Sequence, residues 1–345
     1  MNKHLLFLLF ALLALVSQAA SAQTIRRVNN TSGVTGTNIY TTIQDAHNAA
    51  VDGDIIQLEP STVSYGNLTC TKRLRIVGPG YFLGANQPPP LQATTQAAIV
   101  GYVYFNTVGT ASSSNSSISG VTATGIDINT STVTVQRNLV IGAIRIGPGT
   151  LLTSNALVRQ NYAETISSHP NAGTGLVIAN NIITSSVDLS YGNGEFTNNA
   201  AVTYLSSYYN NFILRNNYFN DNNSSNGINT TVNTSMSYNL FQHATLPPLG
   251  SAPSATNTAN VAPSNVFILG PGTTPFDAWY QLKSGTNPAR GTGLSGADIG
   301  AFSAYGGTTN TYRLSGIPPI PSIYQIDQQT VGNSLNLTIG TRSNN

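Results

Sequence analysis

Short apolar runs and a polar corner built around asparagine alternate through the middle of this chain. The sequence reads Val133-Thr-Val-Gln-Arg-Asn138-Leu-Val, then Ala156-Leu-Val-Arg-Gln-Asn161-Tyr, Leu176-Val-Ile-Ala-Asn-Asn181-Ile-Ile, Glu195-Phe-Thr-Asn-Asn199-Ala, Phe212-Ile-Leu-Arg-Asn-Asn217-Tyr-Phe and Ser235-Met-Ser-Tyr-Asn239-Leu-Phe. The marker asparagines are 23, 20, 18, 18 and 22 residues apart. Ile118-Ser-Gly120-Val fits the same frame 18 residues before Asn138, and Gly101 and Gly80 extend it at intervals of 19 and 21. A period near twenty with β-rich runs and turn-forming corners predicts a solenoid in which each repeat is one coil.

Gly120 to Asn129 and Asn138 to Gly147 align across one coil without a gap. In that register Ile126 and Ile128 stack on Ile144 and Ile146, and two coils later on Val187 and Leu189. Side chains alternate along a strand, so these point inward and Asp127, Arg145, Ser168 and Asp188 form an outward column. Coils about 4.8 Å apart make eight to ten of them a rod roughly 40 to 50 Å long.

The ends depart from this pattern. Ile39 to Val51 predicts a short amphipathic helix, capped by Thr41 or Thr42, with Ile43, Ala46, Ala50 and Val51 on its apolar face. Such a helix covers the open end of a solenoid, which otherwise exposes interior and unpaired strand edges. Ile55-Ile-Gln-Leu58 is then a strand. After Phe241 the texture becomes loop-like, with an extended run at Ser264 to Leu269. A Pro-rich spacer, Ile317-Pro-Pro-Ile-Pro321, precedes one last alternating strand, Leu335-Asn-Leu-Thr-Ile339. The expected organisation is a β-helix domain over 23–310, with its capping helix at about 40–51, coils over about 55–245 and a closing segment over about 264–303, followed by a tail over 311–345.

Thr42-Ile-Gln-Asp-Ala-His-Asn-Ala-Ala-Val-Asp-Gly-Asp-Ile-Ile-Gln-Leu58, with Leu74-Arg-Ile-Val-Gly-Pro-Gly80 after it, resembles the opening of secreted right-handed parallel β-helix proteins of the pectate-lyase-like superfamily. Phe276 to Gly293 with Ala297 to Phe302 resembles the closing segment of many exported β-helix proteins. The resemblance implies an all-β, single-stranded right-handed parallel β-helix with an N-terminal capping helix. It implies no one activity, because the superfamily holds lyases, hydrolases, esterases and proteins without a known reaction.

Composition narrows the partners. Met1-Asn-Lys-His, an apolar run from Leu5 to Val16 and Ser17-Gln-Ala-Ala-Ser-Ala22 read as a signal peptide over 1–22, which places the protein outside the cell or on its surface. That run is short for a bilayer span and no later stretch is longer, so no transmembrane segment is expected in the mature chain. The single cysteine, Cys70, permits no intrachain disulfide and is expected to be buried. Charged residues make up 8% of the chain and the net charge is +2, which excludes recruitment to nucleic acid by a basic field. Asn, Ser, Thr and Gln supply the polar surface, which suits neutral hydrogen-bonding partners such as a polysaccharide or a cell-surface glycan.

The candidate chemistry is sparse. Asn138, Asn161, Asn181, Asn199, Asn217 and Asn239 read as a structural ladder of amides, with a ligand-binding row as the alternative. Lyases of the resembled superfamily use calcium held by acids and an arginine base, and Asp127, Asp188 and Arg145 have those residue types. Three coils separate the two aspartates, about 14 Å, which is too far to share one ion, and an Asp127–Arg145 ion pair accounts for them better. No cofactor or metal site is expected otherwise; calcium enters only with a lyase. The stretch Glu164-Thr-Ile-Ser-Ser-His169-Pro reads as the longest excursion between markers, which makes Glu164 and His169 the acid/base candidates. Inverting hydrolysis needs carboxyl groups about 6.5 to 9.5 Å apart, and the coil acids are scattered. His47 is expected on the polar side of the capping helix. Tyr208 and Tyr209 are carbohydrate-stacking candidates, one of which must face outward in an extended segment, and Asp127 and Asp188 could join them. The expected function is non-catalytic glycan or matrix binding, with a polysaccharide lyase as the alternative.

Overall fold

The computed structural model describes residues 23–86, 91–201, 207–220, 228–230, 233–246, 255–272, 274–304 and 311–344; the signal-like segment 1–22 lies outside them. The chain is an all-β parallel solenoid of about eight turns, consistent with the right-handed parallel β-helix. Two parallel sheets run its length, each with eleven strands among the described residues.

The spacing of β-branched residues builds the interior. On the first sheet Ile56, Ile76, Ile118, Val135, Val158, Ile178, Phe196, Leu214 and Met236 occupy one register column. On the second, Leu68, Val103, Ile126, Ile144, Ile166 and Val187 do the same. These side chains are buried, so each coil stacks like on like and the core is continuous. Toward the last coils aromatics replace aliphatics: Phe196, Phe219 and Phe241 stack in parallel, with ring centroids 6.1 and 5.0 Å apart.

The gapless alignment of 120–129 with 138–147 holds only from Ile126 onward. Thr122 pairs with Leu139 and Ala123 with Val140, and the register then shifts so that Ile126 meets Ile144. The same kind of bulge recurs between the next two strand pairs. It moves the outward column: Arg145 and Asp188 pair with Ser167, while Ser168 points inward and is 3% exposed. Gly101 is not a corner either; it lies inside the strand Ile99–Phe105, and the corner at Gly78–Gly80 bonds directly to Gly120.

At the N-terminal end the helix is shorter than expected, Ile43–Ala49, with Thr42 Oγ1 accepting from Asp45 N. Ile39–Tyr40 instead forms a strand beside Ile25–Val28, and both extend the first sheet past Ile55–Leu58. Val51 is exposed, and His47 takes its place against the core with Nε2 accepting from Thr71 N. Burial pushes the His47 imidazole below its ordinary pKa, which favours the neutral acceptor this contact requires. Cys70 is buried and its thiol is pushed up to about 11 by that burial.

The last part of the chain turns back along the solenoid. Ser264 to Val266 is not extended but belongs to a short helix, Pro263–Val266, followed by a 3-10 turn at Asp277–Tyr280. This return segment covers an outward apolar column, Tyr162, Ile182, Ala200, Tyr218 and Leu240, with Val261, Phe267, Tyr280, Ile299, Ala301 and Tyr312. Leu335 to Ile339 belongs to an antiparallel hairpin of Ser322–Val331 and Ser334–Arg342, turned at Gly332-Asn333 and tied to the body through Ala93 N and Ile323 O.

Candidate functional site

The ladder asparagines stand at the corner between the two sheets. From Asn161 onward each Oδ1 accepts both the backbone N–H and the Nδ2–H of the asparagine one coil before, at 2.9 to 3.1 Å throughout, while Asn138 Oδ1 accepts from Val121 N. The second Nδ2 hydrogen goes to a carbonyl of the first sheet, such as Val158 O for Asn181. The series continues to Asn257, which accepts from Asn239 and donates to Met236 O. Asn138 to Asn239 are 0% exposed, so no ligand reaches these amides and the binding-row alternative falls. Asn257 was legible in principle, since it repeats the interval of 18 after Asn239.

The strained backbone belongs to the residue before each marker. Arg137, Gln160, Asn180, Asn198, Asn216 and Tyr238 have φ between 55 and 57°. This left-handed corner turns their side chains away from the lumen, where several hold the return segment. Arg137 Nη1 donates to Ile317 O, Gln160 Nε2 to Thr311 O, and Asn180 Nδ2 to Ala301 O and Ser303 O, while Asn216 Oδ1 accepts from Leu294 N. That face of the solenoid is therefore occupied by the chain itself.

The outer face of the second sheet is open. Its central column runs Tyr104, Asp127, Arg145, Ser167, Asp188, Tyr208, each residue paired in register with the next. Tyr102 begins the neighbouring column; its ring lies over Gly125, where a Cβ would come within 2.7 Å of Cε1, and stacks on Tyr104 at 6.1 Å and 18°. Tyr102 and Tyr208 are 40% and 45% exposed. The paired tyrosines were legible in Val100-Gly-Tyr-Val-Tyr-Phe105, whose alternation puts both on the face opposite Val103 and Phe105.

Arg145 grips Asp127 with both arms, Nε to Oδ1 at 2.7 Å and Nη2 to Oδ2 at 2.9 Å. Asp127 is 6% exposed beneath it. An arginine so held is a fixed cation and not a free base. Asp188 lies two coils beyond Arg145 and accepts from Ser190 N and Oγ. Tyr209 does not share the surface with Tyr208: it is 0% exposed and packs on Phe196 and Phe219.

Glu164 lies within a strand, and His169 is the first residue after it, where the chain turns. The strand Tyr162–Ser168 crosses the sheet there, which leaves the two residues five positions apart along extended chain, about 16 Å. His169 meets Ser167, with Nε2 3.2 Å from its Oγ, and no acid/base pair forms. Among the described residues no group of three His, Cys, Asp or Glu gathers to hold a metal, and no helix is long and apolar enough to cross a membrane. The most deeply buried acid among the described residues is elsewhere: Asp277, 0% exposed, accepts from Asn86 Nδ2 at 2.8 Å and Ser315 N at 2.6 Å.

Compared with family models, with curated proteins and with solved structures, the chain matches none.

Proposed function

We propose that this is an exported, non-catalytic member of the pectate-lyase-like β-helix group that binds neutral glycans at or outside the cell surface. Its binding surface is the outer face of the second sheet. The signal-like segment 1–22 and the Thr42 to Leu58 motif support export and the group. The observation that carries the function is the column from Tyr104 to Tyr208, flanked by the Tyr102 ring. Five coil steps separate Tyr104 from Tyr208, about 24 Å, a length suited to an oligosaccharide. Tyrosine rings stack on sugar faces, and Ser167, Thr165 and Ser186 between them offer hydroxyls to ring substituents. The Asp127–Arg145 pair cancels its own charge, which suits a neutral ligand.

A polysaccharide lyase needs a free base and a shared calcium site. Here Arg145 is engaged and the aspartates stand three coils apart, which favours binding over turnover. A panel of neutral and acidic oligosaccharides tests the reading. Tyr102→Ala and Tyr208→Ala should each weaken binding of the best neutral ligand about 5- to 30-fold, one stacking contact being worth roughly 1 to 2 kcal/mol. Unchanged affinity in both variants would remove this face from consideration.

A further inference from the structure

A cleft of about 480 Å³ separates the return segment from the base of the hairpin, and its polar walls are Gln281, Tyr312, Arg313, Arg342, Ser343 and Asn344. Among the described residues no acidic one lines it. Among the described residues the Nε of Arg313 and the Nε of Arg342 are both buried without an acceptor, and neither guanidinium is in an ion pair. Arg342 is held in place by its Nη2 bond to Leu91 O and by the Tyr324 ring, 5.7 Å from its guanidinium carbon. Behind the cleft Arg137 is committed to Gln160 Oε1 and Ile317 O. Burial, together with the positive charges of Arg313 and Arg159, pushes Arg137 down to about 10. The return segment's own buried carboxylate, Asp277, gives its oxygens to Asn86 and Ser315 and not to these arginines.

A guanidinium whose Nε is buried without an acceptor is costly, and among the described residues no carboxylate lines the cleft to offset it. Arginine presents planar forks of N–H donors that match carboxylate, sulfate and phosphate oxygens. A cavity of a few hundred Å³ has room for such a group and for the residue that carries it. We propose that the Arg313–Arg342 cleft binds a small oxyanion, namely a carboxylate, sulfate or phosphate, either free or as the charged substituent of a sugar. This site is separate from the neutral face of the second sheet and does not depend on it.

Calorimetric titration of the full chain with sodium sulfate, inorganic phosphate and galacturonate, at ionic strength held with chloride, tests the assignment. At least one of the three should bind saturably, and the preferred one identifies the source. Affinity should fall at least tenfold in Arg313→Gln and in Arg342→Gln and stay unchanged in Arg290→Gln, which is an exposed, ion-paired control. If Arg313→Gln fails to melt cooperatively, Arg342→Gln, at the foot of the hairpin, decides alone. No heat above chloride for any probe, or binding that survives Arg342→Gln intact, overturns the proposal.

Discussion

Asn181 illustrates what one ladder residue does. Its Oδ1 satisfies two donors of Asn161 and its amide satisfies Val158 O and Asn199 Oδ1, all out of reach of water. Asn181→Ala orphans those two Asn161 donors at about 1 to 3 kcal/mol each, so a loss of about 2 to 6 kcal/mol is expected in urea unfolding. A loss below about 1 kcal/mol would mean that the coils are held by their apolar columns alone. These asparagines were legible because stacking repeats one residue type at one coil length. The left-handed position before them was not, because Arg137, Gln160 and Tyr238 fill it as readily as asparagine does. There the ladder bonds on either side fix the backbone and override the intrinsic preference against positive φ.

At the scale of elements, the return segment is what the sequence concealed. It recognises the solenoid largely through backbone carbonyls and single apolar contacts, which leave no periodic trace. Asp277 pins it, with the hydroxyls of Tyr81 and Tyr312 nearby. Burial pushes this carboxyl up to about 6, against the hydrogen bonds that favour its charged form. The folded state therefore holds the Asp277 proton more tightly than the unfolded chain. That contribution is fully present below about pH 4 and is lost as pH rises through about 6, a change of about 3 kcal/mol. In Asp277→Asn the stability profile should be flatter across this window by that amount. An unchanged profile in denaturant titrations at stepped pH would assign the wild-type slope to other groups. The hairpin shows a related limit: Leu335 to Ile339 reads as a strand, but its partner Ser322–Val331 opens in a Pro-rich stretch and carries little alternation.

Across the whole molecule, the repeat period disclosed the solenoid and its inward columns. The surface was less legible, because the bulges after Ala123, Val140 and Ala163 change which residues share a face. Those shifts replaced Ser168 by Ser167 in the outward column, and the strand at Tyr162–Ser168 separated Glu164 from His169. What results is a rod with one face covered by its own chain and another that carries Tyr104 and Tyr208 five coil steps apart with the Asp127–Arg145 ion pair between them. The most direct test of that reading combines two readouts in one sample. Oligosaccharides, acidic ones with calcium included, are titrated into the protein while binding and unsaturated-uronate absorbance are recorded together. The account predicts saturable binding that Tyr208→Ala weakens, with flat absorbance throughout; calcium-dependent growth of absorbance, abolished by Arg145→Ala, would contradict it.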